Sequence, residues 1–128
     1  NSNCYRAFPF EKTEAKRSGL DRGSYLASYL DERAAIRESI IDEEEGADII
    51  MVKPALFYLD IISKIKSKTN IPLAAYNVSL DYAMLNSMIE KGYGELKGVV
   101  KESLCAIHRA GADIIISYWA NQYDKIFR

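Results

Sequence analysis

The sequence has few of the features that mark secreted, membrane or disulfide-rich proteins. Its two cysteines, Cys4 and Cys105, lie far apart and have no metal-binding spacing. We therefore expect no disulfide framework and a reducing, cytoplasmic compartment. No apolar run approaches the roughly 18 residues that a membrane span requires, and the polar start of the chain shows no signal-peptide pattern.

An excess of charge is also missing. The 17 basic and 18 acidic residues nearly cancel, which argues against a nucleic-acid partner. No glycine-rich phosphate loop, Ser–His–Asp pattern or cysteine–histidine zinc spacing is present. The single histidine, His108, is expected on the surface near a helix end. With 48% hydrophobic residues in 128, the chain can build the core of one domain.

Apolar periodicity divides the chain into alternating helices and strands after a loop-rich segment at residues 1–30. The spacing predicts helices at 31–45, 57–68, 81–90, 95–109 and 119–127, and strands at 48–53, 73–76 and 113–118. This alternation indicates an α/β protein with parallel pairing and right-handed crossovers. Because the strands are continuous apolar runs, we expect them to be buried on both faces.

A short repeat relates the first and third strands. The sequence Gly-Ala-Asp-Ile-Ile occurs at residues 46–50 and again at residues 111–115, an offset of 65 positions. The repeat aligns Lys53 with Tyr118, and both follow a strand. Ligands bind at the carboxyl ends of parallel strands in barrels and in open sheets. Three strands cannot close a barrel, so the chain is either a small open α/β unit or part of a barrel, and its length and abrupt start favour the second.

Lys53 is the strongest candidate for chemistry. Its stem can stay buried while its amine projects into a site, where lysine is a nucleophile for a ketone carbon. Tyr118, Tyr76 and Ser79 can supply hydroxyl groups for proton transfer or for binding a carboxylate. The alternatives are a lysine that only reaches water, a strand-end tyrosine with a solvated hydroxyl, and a serine that caps the helix after it.

Three segments resemble the delta-aminolevulinic acid dehydratase (porphobilinogen synthase) family. They are EGADIIMVKPA at residues 45–55, PLAAYNVS at residues 72–79 and RAGADIIISY at residues 109–118. The resemblance covers roughly residues 20–128. It implies the C-terminal portion of a (β/α)8 TIM barrel, with residues 1–30 as an active-site lid or loop region and residues 31–128 as the last three βα units.

The resemblance also implies an activity and a set of site residues. A hydro-lyase of this family condenses two 5-aminolevulinate molecules to porphobilinogen with loss of water, in tetrapyrrole and heme biosynthesis. Lys53 matches the Schiff-base lysine for the first substrate. Ser79 and Tyr118 match residues that hold that substrate's carboxylate, Tyr76 matches an aromatic residue of the pocket, and Arg22 matches a basic residue for the second substrate.

Further family properties concern metals, assembly and location. No organic cofactor is implied. Zinc or magnesium is expected at a site upstream of Asn1, where the second Schiff-base lysine is also expected. Glu38 matches a glutamate that helps bind an allosteric magnesium at a subunit boundary. The family implies a homo-octamer, with no nucleic-acid or membrane partner, in the cytoplasm or in a plastid.

The sequence departs from the family pattern at Pro9, Leu26 and Leu80, where an arginine, a glutamine and a glycine are usual. The first two departures affect the second substrate's carboxylate. The alternatives are therefore a non-catalytic barrel piece with a binding or assembly role, and another Schiff-base aldolase. We expect the 128-residue chain alone to be inactive and poorly folded, because part of a barrel leaves two open sheet edges.

Overall fold

A computed structural model describes residues 27–128, and the predicted order of helices and strands is confirmed there. The helices are α1 (Glu32–Glu44), α2 (Leu59–Lys66), α3 (Ser79–Glu90), α4 (Leu96–Arg109) and α5 (Tyr123–Phe127), and the strands are β1 (Ile50–Val52), β2 (Leu73–Asn77) and β3 (Ile114–Ser117). Single turns of 3-10 helix at Leu56–Tyr58 and Ala120–Gln122 precede α2 and α5. Within this part of the chain, no helix is both long enough and apolar enough to cross a membrane.

Capping residues explain where α1 begins and where the helices before β1 and β3 end. The Asp31 carboxylate starts α1 by accepting a hydrogen bond from Ala34 N–H at 3.0 Å. Gly46 follows α1 with φ +94°, and Gly111 follows α4 with φ +119°. Only glycine adopts such backbone angles without a steric penalty. The sequence repeat is therefore a structural repeat, in which a helix ends at glycine and a strand begins shortly afterwards.

The three strands form a parallel sheet in the order β1-β2-β3, with a stagger between neighbours. Ile50 pairs with Leu73, and the β2–β3 register places Asp113 level with Leu73. The residue level with Ile50 on the third strand is thus Asp113, 63 positions later in the sequence. The sequence repeat, in contrast, aligns Ile50 with Ile115, 65 positions later. A lag of two residues over two strands corresponds to a shear of about 8 over eight strands, the value of a (β/α)8 barrel.

The main core lies between one face of the sheet and helices α2 and α4. Ile50 and Val52 of β1 point to this face, as do Leu73 and Ala75 of β2. They pack against buried residues from the helices and the β3 approach, namely Ile61, Ile62, Ile65, Ile107 and Ala112. A second cluster of Val100, Trp119 and Ile126 joins α4 to α5. The helices thus anchor one side of the sheet.

The opposite face of the sheet is open, so the prediction of strands buried on both faces was wrong for β1 and β3. Met51 is 44% exposed, and Ile114 and Ile116 are 40% and 39% exposed. Successive strand residues point to opposite faces, and the helices among residues 27–128 cover only the other face. Burial on both faces requires a second covering layer, which residues 27–128 do not contain. We refer to this open side as the inner face.

Candidate active site

The carboxyl ends of the strands bring Lys53, Tyr76 and Tyr118 to the inner face. The β1–β2 pairing ends at Val52 and Ala75, and Lys53 and Tyr76 are the residues that immediately follow these paired positions. Tyr76 pairs with Ile116, and Tyr118 lies two residues further along, on the same face. The predicted convergence of Lys53 and Tyr118 on one face is therefore observed. The residue level with Lys53 across the sheet, however, is Tyr76 and not Tyr118.

The two tyrosines are in direct contact. The Tyr76 hydroxyl donates to the Tyr118 hydroxyl oxygen at 3.4 Å, and their ring centroids are 6.4 Å apart. This distance exceeds the about 2.5–3.0 Å of an ordinary hydroxyl–oxygen bond, so the bond is weak. Tyr118 is 49% exposed. The pair therefore presents two hydroxyl groups beside the strand end that carries Lys53.

The backbone after Lys53 is anchored although the side chain is exposed. Pro54 has no N–H to continue the β1–β2 ladder. Ala55 N–H supplies the next bond instead, to Tyr76 O at 2.9 Å. Pro54 and Ala55 are both fully buried. The lysine thus projects from a short segment that is packed against the core and tied to β2.

Ser79 is the first residue of α3 and is half-buried. The alternative prediction that Ser79 caps this helix was wrong, because Val78, with extended backbone, occupies the cap position. Val78 has no side-chain oxygen, so the helix start depends on Asp81, whose Oδ2 accepts from Val78 N–H at 3.3 Å. Leu80 stands where the family usually has glycine, but its φ is negative, so glycine is not required there.

Tyr82 is a neighbour of the site that the sequence reasoning missed. It lies three residues after Ser79, and therefore on the same side of α3. Its ring centroid is 5.5 Å from that of Tyr118 and 4.5 Å from that of the buried Trp119. Tyr82 thus connects the exposed Tyr118 ring to the second core cluster. The helical spacing from Ser79 is the signal that could have identified it.

Two buried polar side chains lie beneath the strand ends, and neither was expected from the sequence. Asn77 Oδ1 accepts from Ser117 Oγ at 3.1 Å, and Ser117 Oγ accepts from Trp119 N–H at 3.2 Å. Asp81 is 0% exposed. Burial raises the pKa of Asp81, and backbone N–H groups of Leu56, Val78 and Ala55 partly offset that rise.

The remaining predicted site residues are not brought to this cluster. Arg22 lies outside the described residues, as do Pro9 and Leu26. Glu38 is exposed on α1, and its Oε1 lies 3.6 Å from Arg37 Nη2. Among residues 27–128, no group of three or more histidine, cysteine, aspartate or glutamate side chains could hold a metal ion. The described part of the chain therefore does not fit a metal centre of its own. His108, in the last turn of α4, is exposed as expected.

The fold and the strand ends define a class: part of an α/β barrel with a lysine at the carboxyl end of a strand. The family model for delta-aminolevulinic acid dehydratase matches residues 1–126. The chain belongs to the delta-aminolevulinic acid dehydratase family. The resemblance inferred from the three sequence segments is thereby confirmed.

Curated relatives and a solved structure agree with this assignment. The chain is 48% identical over 108 residues to the delta-aminolevulinic acid dehydratase of Helicobacter pylori strain J99, covering 84% of this chain and 33% of the relative. It is 46% identical over 112 residues to that of Escherichia coli K12, covering 88% and 35%. The crystal structure of the enzyme from Toxoplasma gondii ME49, in complex with the reaction product porphobilinogen, superimposes with a TM-score of 0.83 at 41% identity, covering 97% of this chain and 35% of that one.

These matches confirm the fold class. The three βα units are part of a (β/α)8 barrel, as the stagger of the strands also indicates. The chain spans about a third of the length of the relatives that it matches. The family is metal-dependent in general.

Proposed function

We propose that this chain contributes to a porphobilinogen synthase, which condenses two 5-aminolevulinate molecules to porphobilinogen with loss of water. The observation that carries the proposal is the placement of Lys53 on the inner face, at the same strand ends as Tyr76 and Tyr118. Family membership supports this reaction class, and the Toxoplasma relative is in complex with porphobilinogen. The activity would serve tetrapyrrole and heme biosynthesis.

Lys53 is the proposed nucleophile of the first step. Its neutral amine attacks the ketone carbon of 5-aminolevulinate, so that the N–C bond forms and the C=O π electrons pass to the oxygen; the nitrogen gives up one proton and the oxygen takes one, which yields a carbinolamine. That oxygen then leaves as water after a second protonation, and the nitrogen lone pair forms the C=N bond of the Schiff base. The step needs a hydroxyl that moves protons. Tyr76, which is level with Lys53 in the sheet, is the hydroxyl proposed for this role.

Ser79 and Tyr118 are proposed to hold the carboxylate of the same substrate. A hydroxyl donor to a carboxylate makes a charge-assisted hydrogen bond, which is roughly twice as strong as a neutral one. The contact between the Tyr76 and Tyr118 hydroxyl groups is weak at 3.4 Å, so the Tyr118 hydroxyl can turn its proton towards the carboxylate. Arg22 is proposed to bind the second substrate, whose Schiff-base lysine is expected upstream of Asn1.

Several finer points stay predictions. They are zinc or magnesium at an upstream site, an allosteric magnesium at Glu38 on a subunit boundary, a homo-octamer, and a cytoplasmic or plastid location. Of these features, the structure describes only the exposed Glu38 carboxylate on α1. A lone carboxylate binds magnesium only when water molecules and further oxygen ligands complete the coordination.

Borohydride trapping tests the proposal in the full-length protein. Reduction in the presence of saturating 5-aminolevulinate should convert Lys53 into a stable secondary amine, which peptide mass spectrometry locates. The exposed Lys64 serves as an internal control and should stay unmodified. Lys53→Arg keeps the charge but cannot form the Schiff base, so it should abolish both the adduct and porphobilinogen formation.

Other outcomes would favour the alternatives. A folded protein without an adduct at Lys53 would refute the enzyme proposal and favour a binding or assembly role. An adduct formed with other ketones, without porphobilinogen, would favour a different Schiff-base aldolase.

A further inference from the structure

The ring of Tyr118 contacts two other tyrosine rings. Its centroid is 6.4 Å from that of Tyr76 and 5.5 Å from that of Tyr82, with interplanar angles of 32° and 50°. Aromatic rings attract one another at such separations when they are offset or tilted. The hydroxyl contact between Tyr76 and Tyr118 is weak at 3.4 Å. Tyr82 is therefore the nearer of the two rings that act on Tyr118.

Tyr82 is itself anchored to the core. Its ring centroid lies 4.5 Å from that of Trp119, which is 1% exposed. Tyr82 also packs against the second core cluster, of which Trp119 is a member. Tyr118, in contrast, is 49% exposed and has staggered side-chain rotamers to choose from. A contact with an anchored ring favours one of these rotamers over the others.

The backbone on both sides of Tyr118 is held as well. Trp119 N–H donates to Ser117 Oγ at 3.2 Å, and Ser117 Oγ donates to Asn77 Oδ1 at 3.1 Å. Asn77 is fully buried at the end of β2. With the backbone fixed in this way, the direction of the Tyr118 hydroxyl depends on the side-chain rotamer, which is the freedom that Tyr82 restricts.

Tyr82 and Ser79 share one side of α3. They are three residues apart, which places them next to each other on the helix surface. The same helix turn therefore carries one hydroxyl proposed to bind the carboxylate and the ring that contacts Tyr118, the other proposed donor. Fixing the Tyr118 ring against this turn fixes the spacing between the two hydroxyl groups.

We propose that Tyr82 is a positioning residue for binding of the first 5-aminolevulinate, holding the Tyr118 ring so that the Tyr118 and Ser79 hydroxyls face the same carboxylate. The inference rests on the proposed function, because the carboxylate contacts of Tyr118 and Ser79 are themselves proposed. Removing the Tyr82 ring should weaken binding of this substrate and leave the chemistry at Lys53 in place. A purely packing role would lower stability without changing that binding.

The measurement is the 5-aminolevulinate concentration that gives half-maximal borohydride trapping at Lys53 in the full-length protein, together with maximal trapping and Tm. This concentration reports the first substrate, because that substrate is the one proposed to form the Schiff base at Lys53. Tyr82→Leu removes the ring and keeps apolar bulk, whereas Tyr82→Phe keeps the ring. Leu85→Ala is the matched control, because Leu85 lies three residues further along α3 and packs against the same cluster but has no ring.

We expect Tyr82→Leu to raise the half-maximal concentration about 2- to 10-fold, the range to which the energy of one aromatic pair converts, with maximal trapping unchanged. Tyr82→Phe should retain the wild-type concentration, and Leu85→Ala should lower Tm without changing that concentration. In a Tyr118→Phe background, adding Tyr82→Leu should change the concentration by less than about twofold, because the hydroxyl that Tyr82 orients is gone.

An unchanged half-maximal concentration in Tyr82→Leu would overturn the positioning role. So would an equal rise in Leu85→Ala, or a rise in the Tyr118→Phe background as large as that in the wild-type background. If Tyr82→Leu does not fold, Tyr82→Met replaces it, because methionine fills irregular gaps without a ring, and the same outcomes decide.

The wild-type protein separates failure of this inference from failure of the proposed function. If it forms no adduct at Lys53, the proposed function is refuted, and the role of Tyr82 is refuted with it. An adduct in the wild-type protein, with the same half-maximal concentration in Tyr82→Leu, refutes the role of Tyr82 alone.

Discussion

Gly111 is the position where one added methyl group has the most clearly defined cost. Its φ of +119° lies outside the ranges that L residues readily adopt. A Cβ at this position would lie 3.0 Å from Cβ and 3.0 Å from Cγ of Lys66. The Lys66 side chain is itself held, because its ammonium pairs with Asp113 Oδ2 at 2.7 Å. Backbone strain and a close contact therefore both oppose Gly111→Ala.

The expected loss can be estimated against a matched glycine. Backbone strain costs about 1–3 kcal/mol, and overpacking costs about 1–3 kcal/mol more. Alanine also restricts the unfolded chain more than glycine does, which stabilises the folded protein by about 0.4–1 kcal/mol. We expect Gly111→Ala to lose about 1–6 kcal/mol. Gly46, with φ +94° and no atom within 4 Å of an added Cβ, has only the backbone cost, so Gly46→Ala should lose at most about 3 kcal/mol.

Urea denaturation of the full-length protein, followed by circular dichroism, measures both losses. The larger loss should occur in Gly111→Ala, and the difference between the two variants reports the contact with Lys66. Equal losses in the two variants would show that this contact contributes nothing. A Gly111→Ala protein as stable as the wild type would refute the strain argument as well.

Three other predictions concern single side chains. Leu73 N–H and the Lys66 ammonium lower the pKa of Asp113 below its ordinary 3.8. The ionised carboxylate therefore stabilises the fold above pH 3.8, and this contribution is lost as the pH falls through the lowered pKa. In Asp113→Asn, urea midpoints should therefore fall less steeply on acidification below pH 3.8 than in the wild type, and equal slopes would contradict this. Trp119 is 1% exposed, so Trp119→Ala should lower the free energy of unfolding, measured by urea denaturation, by about 3–5 kcal/mol. A loss below about 1 kcal/mol would contradict the packing role of Trp119. Tyr118→Phe removes a proposed carboxylate donor worth about 1.5–3 kcal/mol, so KM for 5-aminolevulinate should rise about tenfold or more while trapping at saturating substrate persists; an unchanged KM would contradict that contact.

The sequence was sufficient where the determining signals are local. The prediction of strand 73–76 matches β2 at Leu73–Asn77, because apolar runs and the flanking turn residues lie within a few positions of each other. The predicted ends of helices 31–45 and 95–109 also lie within one residue of the observed ends at Glu44 and Arg109, because the glycine shortly after each helix is a local signal. The 65-residue repeat alone predicts that Lys53 and Tyr118 lie at equivalent strand ends.

The missed features depend on contacts between distant segments. Asp81 resembles an ordinary first-turn acidic residue in the sequence, and only the fold shows that it is fully buried. The position of Lys53 next to Tyr76 depends on the strand register, which differs from the repeat by two residues. Neither periodicity nor composition carries the register, because the stagger of neighbouring strands is set by closure of the whole barrel.

The open inner face determines how the 128-residue chain should behave by itself. In a (β/α)8 barrel, inward side chains from all eight strands fill the interior together. Met51, Ile114 and Ile116 are 39–44% exposed in this chain, and burying that remaining area would stabilise each by about 0.6–1.3 kcal/mol, roughly 40% of the about 1.5–3 kcal/mol for a fully exposed side chain. The isolated chain forgoes that stabilisation, and within residues 27–128 both β1 and β3 are edge strands of the sheet. We therefore expect the isolated chain to melt without cooperativity and to form no Schiff base, and a cooperative melt with turnover would refute the argument.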